Sequence, residues 1–251
     1  MTEITIQDLK NLCINTSKNL LRMLNEKEEF SKVSSPNLET RLIFPKYERK
    51  NNNPIRHSEQ EARVQFILAL ERYYKEIFYS IETPTDYNYS FSGKKFDEKK
   101  DKENKPKCFP DLSEGASAQF DLSLFIRSDN NLEQIVDIEF KSQSPTPGNI
   151  GKDLLKLFAE DRTGLFFHII YSNSSKALDN DLNKFADESK NIADYLRENN
   201  IKPNSRNVLF VFCVINEKKV FIKECTDWQD ENIFKNFFNI TNNNNWEIIN
   251  L

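Results

Sequence analysis

The sequence is poor in the residues that announce several common chemistries. Its 251 residues include only five glycines, two histidines and four cysteines. Cys13, Cys108, Cys213 and Cys225 lie far apart with no C-x-x-C pair, so they suggest neither a zinc cage nor a disulfide framework and read as ordinary thiols. There is no G-x-x-x-x-G-K-[ST] loop and no G-x-S-x-G elbow, which leaves a P-loop ATPase or an α/β hydrolase without support. No run of eighteen apolar residues occurs, and the first residues, MTEITIQDLK, carry no basic-then-apolar leader. A cytoplasmic location with no membrane partner is therefore expected. The formal charge of −4 does not advertise a nucleic-acid binder, nor does it exclude one, because local distribution decides.

What the chain does have is aromatic and aliphatic mass. Twenty phenylalanines and eight tyrosines can fill a sizeable core. The length suits one domain, or one domain with an appendage. The expected division is an N-terminal helical appendage and connector over 1–57 and a main domain over 58–251. Within the latter, 58–172 form the core and 173–251 a C-terminal extension.

The organising stretch is AQFDLSLFIRSDNNLEQIVDIEFK, residues 118–141. Residues 118–126 and 134–141 are rich in strand formers, and 127–133 are turn-like, which predicts a β-hairpin. In the second strand Val136, Ile138 and Phe140 share one face, and Asp137, Glu139 and Lys141 share the other. A hairpin folded about Asn130 sets Asp121 opposite Glu139, with Cβ atoms about 4.5–5.5 Å apart. Two facing carboxylates call for a cation, and hard oxygen ligands select Mg²⁺, Mn²⁺ or Ca²⁺. A lysine alongside suits metal-assisted hydrolysis of a phosphodiester.

Asp121, followed eighteen residues later by Glu139-Phe140-Lys141, resembles the D…(D/E)-x-K motif of the PD-(D/E)xK nuclease superfamily. The resemblance implies a restriction-endonuclease-like αβββαβ core, an α/β fold with a central mixed sheet flanked by helices. It implies Asp121, Glu139 and the Phe140 backbone carbonyl as ligands of Mg²⁺ or Mn²⁺, and Lys141 as the residue that handles water. Phe120 stands where that family has proline. A literal Pro110-Asp111 exists, but no strand pattern follows it, so Asp121 is preferred.

Elsewhere, residues 5–29 predict one or two helices. Ser58 and Glu61 form an S-x-x-E capping box opening a helix to about Tyr79, with Ala62, Phe66, Leu70, Tyr73 and Ile77 as its apolar stripe. Glu59 falls within that stripe and Glu61 on the far side. Glu59 is either a third site carboxylate or a solvated first-turn acid favoured by the helix dipole. Arg63 either meets a phosphate or snorkels to solvent. Residues 80–91 predict an edge strand interrupted by Pro84. From Ser92 to Lys107 seven lysines face four acids, which reads as a flexible loop. Its lysines, Lys94 and Lys95 among them, are either solvated or contact DNA phosphates.

After the hairpin, Gln143 either orients water or phosphate or is a loop amide. KDLLKLFAED, residues 152–161, predicts a short helix. Lys152 and Lys156 lie one turn apart there, facing solvent or an approaching nucleic-acid backbone. LFFHIIYS, residues 165–172, predicts a strand buried on both faces, with His168 a core histidine rather than a ligand. A helix over 176–198, strands over 207–215 and 218–225 joined at Asn216-Glu217, and a last helix near 233–238 complete the reading. The expected activity is a metal-dependent DNA endonuclease of restriction or phage-defence type, acting on double-stranded DNA and paired as a homodimer to cut both strands. The alternative is a non-catalytic module on the same fold that binds nucleic acid or a partner protein.

Overall fold

Strand pairing around residues 116–142 sets the architecture. In this computed structural model the described residues are 4–30, 42, 58–90, 109–110, 116–128, 131–171, 175–198, 207–226, 233–240 and 245–251. The expected lysine loop, with Lys94 and Lys95, the connector over 31–57 apart from Leu42, and Asp111 lie outside them.

The chain runs α1 (Ile6–Phe30), α2 (Glu59–Tyr73), β1 (Phe78–Ser90), β2 (Phe109–Pro110), β3 (Ala116–Ser128), β4 (Asn131–Ser142), α3 (Pro147–Ala159) and β5 (Thr163–Ile170). It continues through α4 (Ser175–Glu198), β6 (Val208–Val214), β7 (Lys219–Cys225), the single turn α5 (Phe234–Phe237) and β8 (Glu247–Asn250). The described strands form one mixed sheet in the order β2-β1-β3-β4-β5-β6-β7-β8. β1, β3 and β4 pair antiparallel, β4, β5 and β6 parallel, and β7 and β8 return antiparallel. The parallel steps are bridged by α3 and α4, as parallel neighbours require.

Both sheet faces are covered. Val136, Ile138, Phe140, Leu165, Phe167 and Ile169 pack against Leu9, Leu12 and Leu20 of α1 and Phe66 and Leu70 of α2. On the other face, Phe166, Phe210 and Phe212 pack against α3, α4 and the aromatic knot of Phe234, Phe237, Phe238 and Trp246. The result is an α/β/α sandwich in which α1 packs into the sheet's core. β5 is buried on both sides, as its near-continuous apolar run predicts.

Several boundaries differ from expectation. α2 ends at Tyr73, because Phe78 and Tyr79 are drawn into pairing with Phe125 and Leu124 of β3. Tyr73 is exposed rather than part of the buried stripe, and Glu61 is buried rather than on the far side. The Glu61 carboxylate accepts the Ser58 N–H at 3.0 Å, so the capping box holds. β1 is not the sheet edge, since β2 pairs outside it. The pairing irregularity does fall just after Pro84. β6 and β7 are joined by a 3₁₀ turn, Ile215–Glu217, closed by Lys218 in the left-handed region. The last helix is one turn only, and the Asn-rich tail ends in a strand.

Candidate functional site

The β3–β4 register brings Asp121 to the Phe140 amide, beside Glu139 in the chain, by a route the pattern did not show. Pairing begins at Ser128↔Asn131, and a bulge between Leu124 and Phe125 restores the alignment, giving Leu122↔Ile138. One step further, Asp121 Oδ2 accepts the Phe140 N–H at 2.8 Å. Opposite Asp121, Glu82 of β1 has φ 54°. Phe120 packs with α3, whereas Leu122 packs with α1 and α2, so the strand swaps faces at Asp121. Arg63, one turn into α2, donates from Nη1 to the Asp121 carbonyl at 3.3 Å, and the same nitrogen lies 3.8 Å from Oδ1.

Asp137, Glu139 and Lys141 of β4 form a ladder with the chain that follows. Asp137 Oδ2 accepts Arg162 Nε at 2.8 Å, Glu139 Oε1 pairs with Lys156 Nζ, and Lys141 Nζ lies 2.7 Å from Asp153 Oδ2. The partners run backwards along the chain, 162, 156, 153, as β4 runs forwards. Lys156 also lies 3.3 Å from Asp153 Oδ1 and donates to the Gln119 carbonyl at 2.7 Å. Lys141 donates to the Phe140 carbonyl at 3.3 Å.

Asp137 is a structural member. Ser123 Oγ and Gln134 Nε2 both donate to its Oδ1, at 2.8 and 2.5 Å. Arg162 extends to Glu160 at 3.1 Å and Asp86 at 2.5 Å. Glu160 in turn accepts Tyr89 Oη at 3.0 Å and the Tyr87 N–H at 3.2 Å. This network ties β1, β3 and β4 to the end of α3 and is well satisfied by protein donors.

Electrostatics gather the remaining groups. Burial pushes Glu139 well above the usual carboxylate value, and Asp153 and Asp121 add to the shift while Lys156 and Lys141 oppose it. Glu59, half-buried in the first turn of α2, is also raised, chiefly by burial, with Lys141 pulling it down and Asp121 and Asp153 pushing it up. Burial acts against the charge on Lys141, but Asp153 and Glu139 outweigh it and hold the lysine above its usual value. The same balance holds for Lys156, with Glu139 its strongest support.

Asp121, Glu139, Lys141, Glu59 and Arg63 thus influence one another electrostatically near the carboxyl end of β4, where the chain turns toward α3. Ligands of open α/β sheets favour such carboxyl ends. Gln143 is exposed. Its backbone, at φ 62°, donates to the Ile169 carbonyl at 3.0 Å and offers its own carbonyl to His168 Nε2 at 2.7 Å. Lys156 is buried and paired with Glu139, so it faces neither solvent nor an approaching nucleic-acid backbone, while Lys152 is half-buried on α3. Sequence reasoning missed Asp153. The available signal was its i, i+3 spacing to Lys156 within a helix apolar on nearly every side.

Among the described residues no group of three His, Cys, Asp or Glu side chains is arranged to hold a metal. Mg²⁺ typically takes only one or two carboxylates and keeps several waters. Asp121, Glu139 and the Phe140 carbonyl supply that hard-oxygen set, so the donor chemistry fits a hydrated divalent ion. Comparison with known proteins finds no matching family model, no matching curated protein and no matching solved structure.

Proposed function

We propose that this chain is a metal-dependent nuclease that hydrolyses phosphodiester bonds, acting as a DNA endonuclease of restriction or phage-defence type. The observation that carries the reading is the meeting of Asp121, Glu139 and Lys141 at the carboxyl end of β4, with Asp121 bonded to the Phe140 amide. Support also comes from the element order α2, β1, β3, β4, α3, β5, in which β4 bears the charged residues. Asp121, Glu139 and the Phe140 carbonyl would hold Mg²⁺ or Mn²⁺, with Glu59 beside them as a third carboxylate. A divalent ion there supplies Lewis acidity toward phosphate and a more acidic water. Lys141, kept cationic by Asp153, would hold the attacking water or a phosphate oxygen. Arg63 orients Asp121.

The test is cleavage of plasmid and genomic DNA with and without divalent metal, followed by sequencing of the ends. Glu139→Gln and Lys141→Ala should each lower cleavage about 10²–10³-fold, the range for losing one electrostatic group of a catalytic site. Chelation should abolish it. If protein supplied with Mg²⁺ or Mn²⁺ leaves single- and double-stranded DNA and RNA intact, the reading fails.

A second reading is favoured by one observation: Glu139 and Asp153 each have a lysine counter-ion from the chain itself. A non-catalytic module binding nucleic acid or a partner protein would keep such pairs purely for structure. Its binding would be indifferent to Glu139→Gln, and it would take up no divalent ion.

A further inference from the structure

Lys156 is held more completely than a structural ion pair needs. Its ammonium has three N–H donors. Three oxygens receive them: Glu139 Oε1, the Gln119 carbonyl at 2.7 Å and Asp153 Oδ1 at 3.3 Å. The Phe120 ring lies 5.4 Å from Nζ, and the side chain is only 8% exposed. Two carboxylate oxygens and a backbone carbonyl are the donor types a hard divalent ion takes. They surround Lys156 on the side of Glu139 that faces α3.

We propose that Lys156 is a built-in cation standing in the oxygen cage of Glu139, Asp153 and Gln119, so that the site accepts one divalent ion and not two. The inference rests on the metal-dependent reading above. Two-metal phosphodiester enzymes hold their ions about 3.5–4 Å apart, bridged by shared oxygens. Here the atom that would share Glu139 with a second ion is the Lys156 ammonium. Charge points the same way. Glu59, Asp121, Glu139 and Asp153 are four acids facing the three cations Arg63, Lys141 and Lys156, which leaves one net negative charge when all are ionised. One divalent ion reverses that to a single positive charge, which one phosphodiester offsets. A second ion would leave an uncompensated excess of positive charge in a partly buried site. Lys156 is thus a positioning residue: it fixes one oxygen of Glu139 and leaves the other for the metal.

The experiment is a Mn²⁺ titration of the metal-free full chain, read by electron paramagnetic resonance of the unbound ion, on the wild type, Lys156→Arg and Lys156→Gln. The wild type and Lys156→Arg should each bind one Mn²⁺ per chain. Lys156→Gln should bind two, and its melting temperature should rise more on Mn²⁺ addition than that of the wild type. Two ions on the wild type, or one on a folded Lys156→Gln protein, overturns the inference while leaving the nuclease reading intact. No Mn²⁺ on the wild type, together with no cleavage, overturns both. Should Lys156→Gln fail to fold, the wild-type stoichiometry decides alone, one ion in favour and two against.

Discussion

Replacing Arg162 with methionine should unfold the protein far more readily, although the residue lies outside the carboxylate cluster. The substitution keeps the aliphatic stem and deletes the guanidinium that holds Asp137 at 2.8 Å, Glu160 at 3.1 Å and Asp86 at 2.5 Å. Asp137 and Glu160 have side chains only 2% exposed, so each would be left as a buried charge short of its counter-ion. Removing one partner of a buried pair costs about 3–5 kcal/mol. Asp137 keeps donors from Ser123 and Gln134, and Glu160 keeps Tyr89 and the Tyr87 amide, which places the expectation at the low end, about 3 kcal/mol. Asp86, 65% exposed, adds little, and Asp86→Asn is the control with a change within about 0.5 kcal/mol. The assay is urea unfolding, compared at constant slope so that the midpoint reports stability. The pH dependence has a definite sign. Glu160 already lies above the usual carboxylate range, because burial outweighs its hydrogen bonds and Arg162. An acid raised in the folded state favours folding as pH falls from its folded value toward its unfolded one. Losing Arg162 raises it further, so the variant's deficit should narrow as pH falls toward the ordinary carboxylate value. A loss under about 1 kcal/mol at neutral pH would refute the claim that this network carries structural weight.

Other predictions concern the core and one histidine. His168 is fully buried and pushed down to about 4, mainly by burial. The folded state therefore resists its proton, and stability should fall as pH drops from about 6.5 toward 4, by ~3 kcal/mol across the window. His168→Gln should flatten that part of a urea-midpoint-against-pH curve. Gly164→Ala should destabilise by about 1–3 kcal/mol in the same assay, because a Cβ there meets Val208 Cγ2 at 3.2 Å and Leu157 Cβ at 3.3 Å, with little room to yield. Gly151→Ala should be far milder, within about 1 kcal/mol, since its Cβ meets the flexible end of Glu188. Phe140→Ala, which empties the contact among Phe66, Phe140 and Phe167, should cost about 3–5 kcal/mol.

Much of the architecture was legible because the signals are local. The alternation in QIVDIEFK divides β4 between an apolar face and a charged one, and the near-continuous apolar run over 165–170, interrupted by His168, marks a strand covered on both sides. The expected register about Asn130 and the observed one agree at Leu122↔Ile138, yet through a bulge that no periodicity reveals. What the sequence hid was non-local. Lys156 reads as a surface lysine from its spacing to Lys152, and only the packing of α3 on β4 shows it turned inward to Glu139. Projection sets Glu61 on the far side of α2 from the apolar stripe, but α1 covers that side. β8 was invisible in an Asn-rich tail because its pairing with β7, and not its own propensity, makes it a strand.

The ladder of opposite charges between β4 and α3 constrains more than local electrostatics. Greasy contacts between a helix and a sheet tolerate sliding, since one leucine suits much the same hollow as another. Two rungs of opposite sense, Glu139 to Lys156 and Lys141 to Asp153, do not. A shift of α3 by a single helical turn, about 5.4 Å, would set lysine against lysine or strand an acid in hydrocarbon. Position here is thus digital: α3 either locks into its one permitted notch on β4 or fails to dock at all.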